Sequence, residues 1–238
     1  MGKDAMKLEL NDPNLDLFTM GRDALAAARA AFAGRGFFVS ARRLQADGSW
    51  LGPPDAALAL VEEEALARLG GLAAAKKLGA NAVVCSLEGA SVREAVDLGM
   101  RCLVHVPYAA GESPDVRRVR LVQLGELVQH VPGIDGILPT PVGEAQGLDT
   151  LQFFAACRVT CPALHVVVDL DVFGHKLGQL CLSFGADEIF GSIVGQRALR
   201  LGDHASSKAL TRDEAALLLR ASAFTPCERL SEGKVQAL

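Results

Sequence analysis

The 238-residue sequence lacks the short motifs that mark the commonest nucleotide and hydrolase sites. Neither G-x-G-x-x-G nor G-x-x-x-x-G-K-S/T follows the first predicted strand, so we expect no Rossmann or P-loop phosphate site. No Ser-His-Asp arrangement, H-E-x-x-H helix or zinc-type cysteine spacing is present either. We therefore predict no metal site of these kinds and no serine-hydrolase triad.

Basic charge is also scarce. Lys and Arg number 24 against 28 Asp and Glu, which gives a net charge of −4 and a pI near 5.8. A nucleic-acid surface normally needs a concentrated basic face. The basic clusters Arg42–Arg43 and Arg117–Arg120 are interpreted as solvated charges, or at most as a contact to one anionic ligand. We expect no nucleic-acid partner.

Long apolar runs and a secretory leader are absent as well. No run approaches the roughly 20 residues that span a bilayer, and the sequence does not start with a cationic stretch followed by an apolar core. Its six cysteines lie mostly within apolar strand or helix patterns, which is typical of buried thiols in a reducing compartment. We expect a cytoplasmic protein with no membrane span.

Apolar residues, by contrast, make up 50% of the chain, enough for a sizeable core in one domain. Turn residues predict a flexible start over residues 1–14, a single domain over 15–225 and a polar C-terminal tail over 226–238. Residues 56–78 are predicted to be helical, and Thr211 is predicted to cap a late helix. The predicted strands are Phe37–Ser40, Ala82–Leu87, Cys102–Val106, Ile134–Leu138, Leu164–Asp169 and Glu188–Phe190.

This alternation of strands and helices predicts a parallel sheet covered by helices. We expect an α/β fold, a closed or partial (β/α) barrel of TIM type with about six parallel strands and extra terminal helices. An open doubly wound sheet is the main alternative, and it would be expected to carry a phosphate fingerprint after its first strand.

Polar residues at the carboxyl ends of parallel strands face the ligand crevice, and the segment 164–195 is rich in them. Asp169 and Asp171 project from one face and could divide acid and base roles or hold a divalent cation. Alternatively, Asp169 accepts from backbone amides and Asp171 caps the following helix. His175 pairs with Asp171 if the helix begins there, and otherwise faces solvent or caps a helix.

Other predicted strands end on further candidates. His105, with Tyr108 just beyond it, lies near one strand end, and Glu88 follows the preceding strand. Thr140 and Glu144 follow the next strand. Each is a candidate catalytic or ligand-binding residue at the barrel mouth, and each is also compatible with a structural role.

Two glycines surround the loop after the last predicted strand. If a helix began at Ile193, the backbone amides of Gly191, Ser192 and Gly195 could cradle an anion. The glycines would equally suit a turn with no ligand.

Several stretches from about 99 to 235 occur in an order that resembles a known family. They are Gly99–Arg101, His105–Tyr108, Val116–Leu121, Ile137–Pro141, Leu148–Leu151, Gly174–Leu180, Ser183–Glu188, Leu210–Glu214 and Pro226–Arg229. In this order and spacing the chain resembles the carboxyl-terminal half of radical S-adenosylmethionine enzymes. The closest subgroup acts in menaquinone biosynthesis by the futalosine route and in deazaflavin synthesis.

The resemblance implies a barrel with a C-x3-C-x2-C loop after its first strand, which holds a four-iron cluster. Here the corresponding loop, Gln45–Pro54, has no cysteine. The nearest spacing, Cys157 and Cys161, starts within a predicted helix and lacks a third ligand. Trp50, which stands in this loop, either fills the former cofactor space or contacts a partner. We expect neither an iron–sulfur cluster nor S-adenosylmethionine.

The sequence therefore predicts a cofactor-free pseudoenzyme that acts as a small-molecule-binding, scaffold or regulatory protein. Its partner would be a protein or a small molecule in the barrel mouth, with homo-oligomerisation left open. One alternative is an enzyme that uses Asp169, Asp171, His175, His105 and Glu88 for acid/base or metal-assisted chemistry. Another is an accessory subunit in menaquinone-type biosynthesis.

Overall fold

Short runs of buried aliphatic residues form a closed barrel of seven parallel strands. The computed structural model describes residues 16–88, 91–144, 147–195 and 209–238. The last barrel strand pairs with the first, which closes the barrel. The barrel strands are β1 (Arg35–Leu44), β3 (Leu58–Glu62), β4 (Ala82–Cys85), β5 (Arg101–Ala109), β6 (Gly136–Val142), β7 (His165–Asp169) and β8 (Glu188–Gly191). The predicted α/β barrel is confirmed.

Helices cover the outside of this barrel, as expected where parallel strands need crossover connections. Ser113 caps one helix by accepting from the Val116 amide, and Thr211 forms the predicted capping box with Glu214. The helices are α1 (Leu17–Ala31), α2 (Glu63–Leu69), α3 (Leu72–Lys77), α4 (Val92–Asp97), α5 (Pro114–His130), α6 (Gly147–Thr160), α7 (Leu170–Ser183) and α8 (Arg212–Ala221).

Alternation along the strands divides the core into two parts. Residues such as Val39, Leu60 and Leu103 pack with one another inside the barrel. Their neighbours, such as Phe38 and Val104, belong to the larger cluster between the barrel and its helices. The position of a residue in this alternation therefore decides whether it can reach the barrel interior.

The prediction of a helix from residue 56 was wrong at its start, because Leu58–Glu62 is strand β3. Alanine and leucine favour helix when no tertiary contacts compete. Here Leu58, Ala59, Leu60 and Val61 are all buried, since this strand is covered on both faces. The extra strand raises the count from the expected six to seven.

The C-terminal residues also differ from the expected polar tail. β11 (Thr225–Arg229) pairs in parallel with β1, and β12 (Val235–Ala237) pairs antiparallel with β11. The charged residues of β11 can join the sheet because Glu228 pairs with Arg212 and Arg229 pairs with Glu188. The expected flexible stretch 1–14 lies outside the described residues.

The described residues form three further short strands. β2 (Trp50–Leu51) forms a hairpin with β1, and β9 (Ile193–Val194) pairs in parallel with β10 (Leu210–Thr211). In the part of the chain that the structure describes, the helices are all too short or too polar to cross a bilayer.

An ion-pair cluster closes the amino-terminal end of the barrel. The buried Glu188 receives two hydrogen bonds from Arg101, at 2.6 and 2.8 Å, and one from Arg229 at 2.9 Å. Burial alone would raise its pKa, but the two guanidinium groups lower the pKa of Glu188 to about 2. His165 contacts this cluster through its Nε2, 2.7 Å from the Arg229 Nη2, while its Nδ1 is hydrogen-bonded to Asp187 at 2.5 Å. With this end filled by paired charges, the open space lies at the other end.

Candidate functional site

A cavity of about 490 Å3 opens at the carboxyl ends of the barrel strands. This is the end at which barrel enzymes of this architecture place their ligand sites. The cavity combines acidic, basic and apolar side chains. It is lined by Arg43, Glu62, Glu63, Glu64, Val84, Cys85, Ser86, His105, Leu138, Thr140, Asp169, Asp171 and Val172.

Arg43 is the central cation of this cavity. It hydrogen-bonds to Asp169, pairs with Glu62 at 3.1 Å and lies 4.0 Å from Asp171. Its guanidinium also lies over the Phe190 ring, 5.4 Å from the ring centroid. Burial would lower the pKa of Arg43, but the carboxylates, led by Asp169, raise it above its ordinary value. The mouth therefore contains a permanent cation that neutralises part of the acidic charge.

The structure brings Asp169 and Asp171 together at the mouth, in different roles. Asp169 is buried and caps α7 by accepting from the Asp171 amide at 3.0 Å. Burial raises the pKa of Asp169, and the ion pair with Arg43 opposes that rise. The Asp171 side chain is 44% exposed and accepts from the Ser192 amide at 3.3 Å. Of the two, only Asp171 presents its carboxylate to solvent.

His105 lies on the boundary between the mouth cavity and a second space. Burial lowers its pKa, against the attraction of Glu64 and Glu62, so its imidazole is neutral near pH 7. In the described part of the chain, the His105 ring has no hydrogen-bond partner. The second space, which we call the side groove, measures about 580 Å3. It is lined by Ser86, Leu87, Glu88, His105, Pro107, Gln123, Glu126, Leu127 and His130.

The other predicted residues are divided between these two spaces and the rest of the molecule. Thr140 lines the mouth cavity, and Glu88 lines the side groove. Tyr108 is placed elsewhere, because strand alternation turns its side chain outward from the barrel. It is buried there, stacks on Phe153 and shares a 2.7 Å hydrogen bond with Thr150.

Two further candidates lie beyond the cavity walls. His175 follows the non-helical Gly174 in α7 and is absent from the described lining of either space. Glu144 is exposed just after β6 and is likewise absent from both described linings.

The anion cradle expected around Ser192 does not have the required geometry. Ile193–Val194 forms strand β9 and does not begin a helix. The Ser192 amide already donates to the Asp171 carboxylate. Gly191 approaches Leu170 closely, since an added Cβ would lie 3.2 Å from the Leu170 Cβ. Close packing explains Gly191, whereas no atom of the described residues lies within 4 Å of a Cβ added at Gly195.

Trp50 does not fill the mouth. It packs against the core outside the barrel, with the Arg42 guanidinium 4.3 Å from its ring centroid. It takes this position because the chain after β1 turns back into the hairpin with β2.

Arg43 and Glu62 are the main site residues that the sequence interpretation missed. The sequence predicts solvated charges, or at most a contact to one anionic ligand, for the Arg42–Arg43 pair, yet the Arg43 side chain is only 20% exposed. A signal existed, because Val39, Ala41 and Arg43 alternate along one strand and share its inward face. The sequence predicts a helix over residues 56–78, so it does not place Glu62 at the end of a strand.

The cysteines do not fit an iron–sulfur cluster. All six are buried, and cluster ligation needs thiolates gathered around one site. Cys85 and Cys102 are neighbours, with 3.8 Å between their sulfurs. Burial raises the pKa of Cys157 and Cys161, the latter to about 11. Among the described residues, no three His, Cys, Asp or Glu side chains are grouped to hold a metal.

Solved structures share this fold. Methylornithine synthase (PylB) matches with a TM-score of 0.63 and 12% identity, over 88% of this chain and 89% of that one. HydG, a maturase of the FeFe-hydrogenase, matches with a TM-score of 0.58 and 12% identity, over 91% of this chain and 70% of that one. HydG from Carboxydothermus hydrogenoformans matches with a TM-score of 0.57 and 11% identity, over 88% of this chain and 72% of that one.

These neighbours are radical S-adenosylmethionine enzymes, and the chain shares their barrel fold. At such low identity the likeness concerns the fold. No family model and no curated protein matches the sequence.

Proposed function

We propose that this protein is a cluster-free relative of radical S-adenosylmethionine enzymes that binds a small polar molecule in the barrel mouth as a non-catalytic binding or regulatory protein. The observation that carries the proposal is the mouth cavity itself. It is open, it lies where this architecture binds ligands, and its polar groups surround apolar walls.

The cysteine pattern supports the cluster-free part of the proposal. The Gln45–Pro54 segment contains no cysteine, and part of it forms the hairpin strand β2. The six thiols that the chain possesses are buried at other places in the fold.

The ion pairs support binding over catalysis. Asp169 is engaged with Arg43 and with the Asp171 amide, so it is poorly placed to exchange a proton with a substrate. Glu63 is similarly engaged, because it accepts from the Ser86 amide at 2.6 Å and from the Ser91 hydroxyl.

The subgroup assignment is part of the same proposal. It rests on the stretches 174–180 and 183–188, the densest parts of the resemblance. In the structure, Gly174 has a φ of 67°, a left-handed conformation that suits glycine and interrupts α7. This gives a physical reason for glycine at the start of that motif.

Metal analysis of anaerobically purified protein tests the proposal. We expect iron and acid-labile sulfide well below one cluster per chain, and no 5′-deoxyadenosine after addition of S-adenosylmethionine and a reductant. About four iron atoms per chain, with a matching sulfide content, would contradict the cluster-free assignment.

A second measurement tests binding in the mouth. Small molecules released from the heat-denatured protein are identified by mass spectrometry, and each is tested for rebinding by calorimetry. The variant Thr140→Phe narrows the cavity and should abolish rebinding, whereas Thr160→Val, which changes a residue on α6 that bonds the Ala156 carbonyl, should not. Equal binding to both variants would place the ligand elsewhere.

A cluster-free acid/base enzyme is the second candidate, and His105 is the observation that favours it. A neutral imidazole without a described partner, facing a cavity, is suited to proton transfer. If a released ligand were converted to product by the wild type and left intact by His105→Gln, the enzyme would replace the binding protein as our conclusion.

A further inference from the structure

The mouth cavity and the side groove meet along a shared wall. Ser86 and His105 line both spaces, so the two spaces are adjacent, and a ligand that occupies both lies against these two residues. Their volumes, about 490 and 580 Å3, are each within the usual range for small-molecule sites. A ligand that uses both spaces must be elongated.

The charges around this path are mostly negative. Among the described residues that line the mouth, Arg43 faces five carboxylates and is accompanied by no lysine or second arginine. The five are Glu62, Glu63, Glu64, Asp169 and Asp171. Arg43 pairs with Glu62 and Asp169 and lies 4.0 Å from Asp171, so one guanidinium serves three carboxylates. Glu63 bonds to Ser86 and Ser91, and the exposed carboxylates of Asp171 and Glu64 keep the mouth negative. The described lining of the side groove adds acidic residues and no lysine or arginine; its acids are Glu88 and Glu126.

Apolar side chains separate these carboxylates. Val84 and Leu138 form part of the mouth wall, and Leu87, Pro107 and Leu127 form part of the groove wall. A hydrated metal ion gains nothing from such walls, whereas a methylene chain is stabilised by contact with them. The ligand chemistry that fits both features is a chain of methylene groups carrying ammonium groups.

We propose that the joined cavities bind an elongated aliphatic polyamine, with one ammonium group near Asp171 and Glu64 and another near Glu88 and Glu126. This inference rests on the proposed binding function and names the class of ligand.

His105 lies where the two spaces meet and suits this ligand. Because burial keeps its imidazole neutral near pH 7, it does not repel an ammonium group. The unprotonated ring nitrogen can accept a hydrogen bond from one. His105 thus provides the polar contact halfway along the path.

Isothermal titration calorimetry of the purified full chain tests the inference. The probes are spermine, a long tetraamine, putrescine, a short diamine, and butanediol, an uncharged analogue of putrescine, all at one ionic strength. We expect spermine to bind more tightly than putrescine, and butanediol not to bind. Glu64→Gln and Glu88→Gln should each weaken spermine binding about fivefold, the effect of losing one solvent-exposed ion pair.

Glu94→Gln is the matched control, because Glu94 is an exposed carboxylate on α4 outside both cavities. All three replaced residues are exposed, so the variants are expected to fold, and circular dichroism checks that they do.

The inference is overturned if spermine does not bind, if butanediol binds as well as putrescine, or if Glu94→Gln weakens binding as much as the other two changes. These results would leave the proposed function standing, provided that the protein is free of iron and binds a different small molecule. A stoichiometric iron content would instead overturn the proposed function.

Discussion

Arg43 and Asp169 form the ion pair that organises the mouth. Their side chains are 20% and 6% exposed, and Arg43 is the cation that compensates the buried charge of Asp169. We predict that Arg43→Met lowers the free energy of unfolding by about 3 kcal/mol, because it leaves the buried Asp169 carboxyl without its compensating cation. Urea denaturation followed by circular dichroism measures the change.

Two control variants test this interpretation of Arg43. The exposed pair of Arg118 and Asp115 should matter little, so Arg118→Met should change stability by less than about 1 kcal/mol. Adding Asp169→Asn to Arg43→Met should restore part of the lost free energy of unfolding. If the double variant is no more stable than the single one, uncompensated charge is not the cause.

His105 gives a prediction about pH. Its pKa in the folded protein is lower than the ordinary value of 6.5, because burial disfavours the charged ring. Protonation therefore favours the unfolded state, and stability decreases as the pH falls below about 6.5. An NMR titration of the imidazole protons, assigned with His105→Gln, should give a midpoint below 6.5. A midpoint at or above that value would contradict the burial of this ring.

At the scale of elements, the turn between α7 and β8 holds the barrel against two helices. Gly185 in this turn has a φ of 98°, and an added Cβ would lie 2.8 Å from the Arg158 Cβ on α6 and 3.1 Å from the Ala24 Cβ on α1. We predict that Gly185→Ala destabilises the protein by about 3 kcal/mol, through backbone strain and overpacking together.

Gly79 provides a matched control for Gly185. Its φ is 99°, but open space surrounds it. Gly79→Ala should therefore lower the free energy of unfolding by about 1 kcal/mol, the cost of backbone strain alone. Thermal unfolding of both variants measures the difference, and equal losses would mean that the close approach of α1 and α6 contributes nothing.

The elements also show what sequence reasoning could reach. The strands and helices of residues 82–191 were predictable because aliphatic runs and turn residues alternate there. β3 was not, because its alanine and leucine favour helix until burial on both faces decides otherwise. The position of Asp169 at a strand end was predictable, but its partner Arg43 lies 126 positions away in the sequence and meets it only when the barrel closes.

At the scale of the whole molecule, the two ends of the barrel differ in structure. The amino-terminal end is filled by the fully buried Glu188 and its arginine partners. The carboxyl-terminal end retains an open cavity with exposed carboxylates such as Asp171. This division agrees with the general rule that one end of such barrels supports stability and the other carries ligand sites.

The filled end predicts how the protein responds to acid. The pKa of Glu188 is about 2 in the fold and 4.5 as its ordinary value. Its ionised form therefore stabilises the fold by about 3 kcal/mol above pH 4.5, and this contribution is lost as the pH falls towards 2.

Denaturant unfolding of wild type and Glu188→Gln between neutral pH and pH 2 should show a difference in the free energy of unfolding that is large near neutrality and shrinks in acid. Glu94→Gln should show a difference near zero throughout, since its carboxylate is exposed. If Glu188→Gln proves too unstable to purify, a carbon-13 NMR titration of the Glu188 carboxyl in the wild type measures the same pKa. A constant stability difference, or a carboxyl that titrates near 4.5, would mean that Arg101 and Arg229 do not hold Glu188 in its charged form.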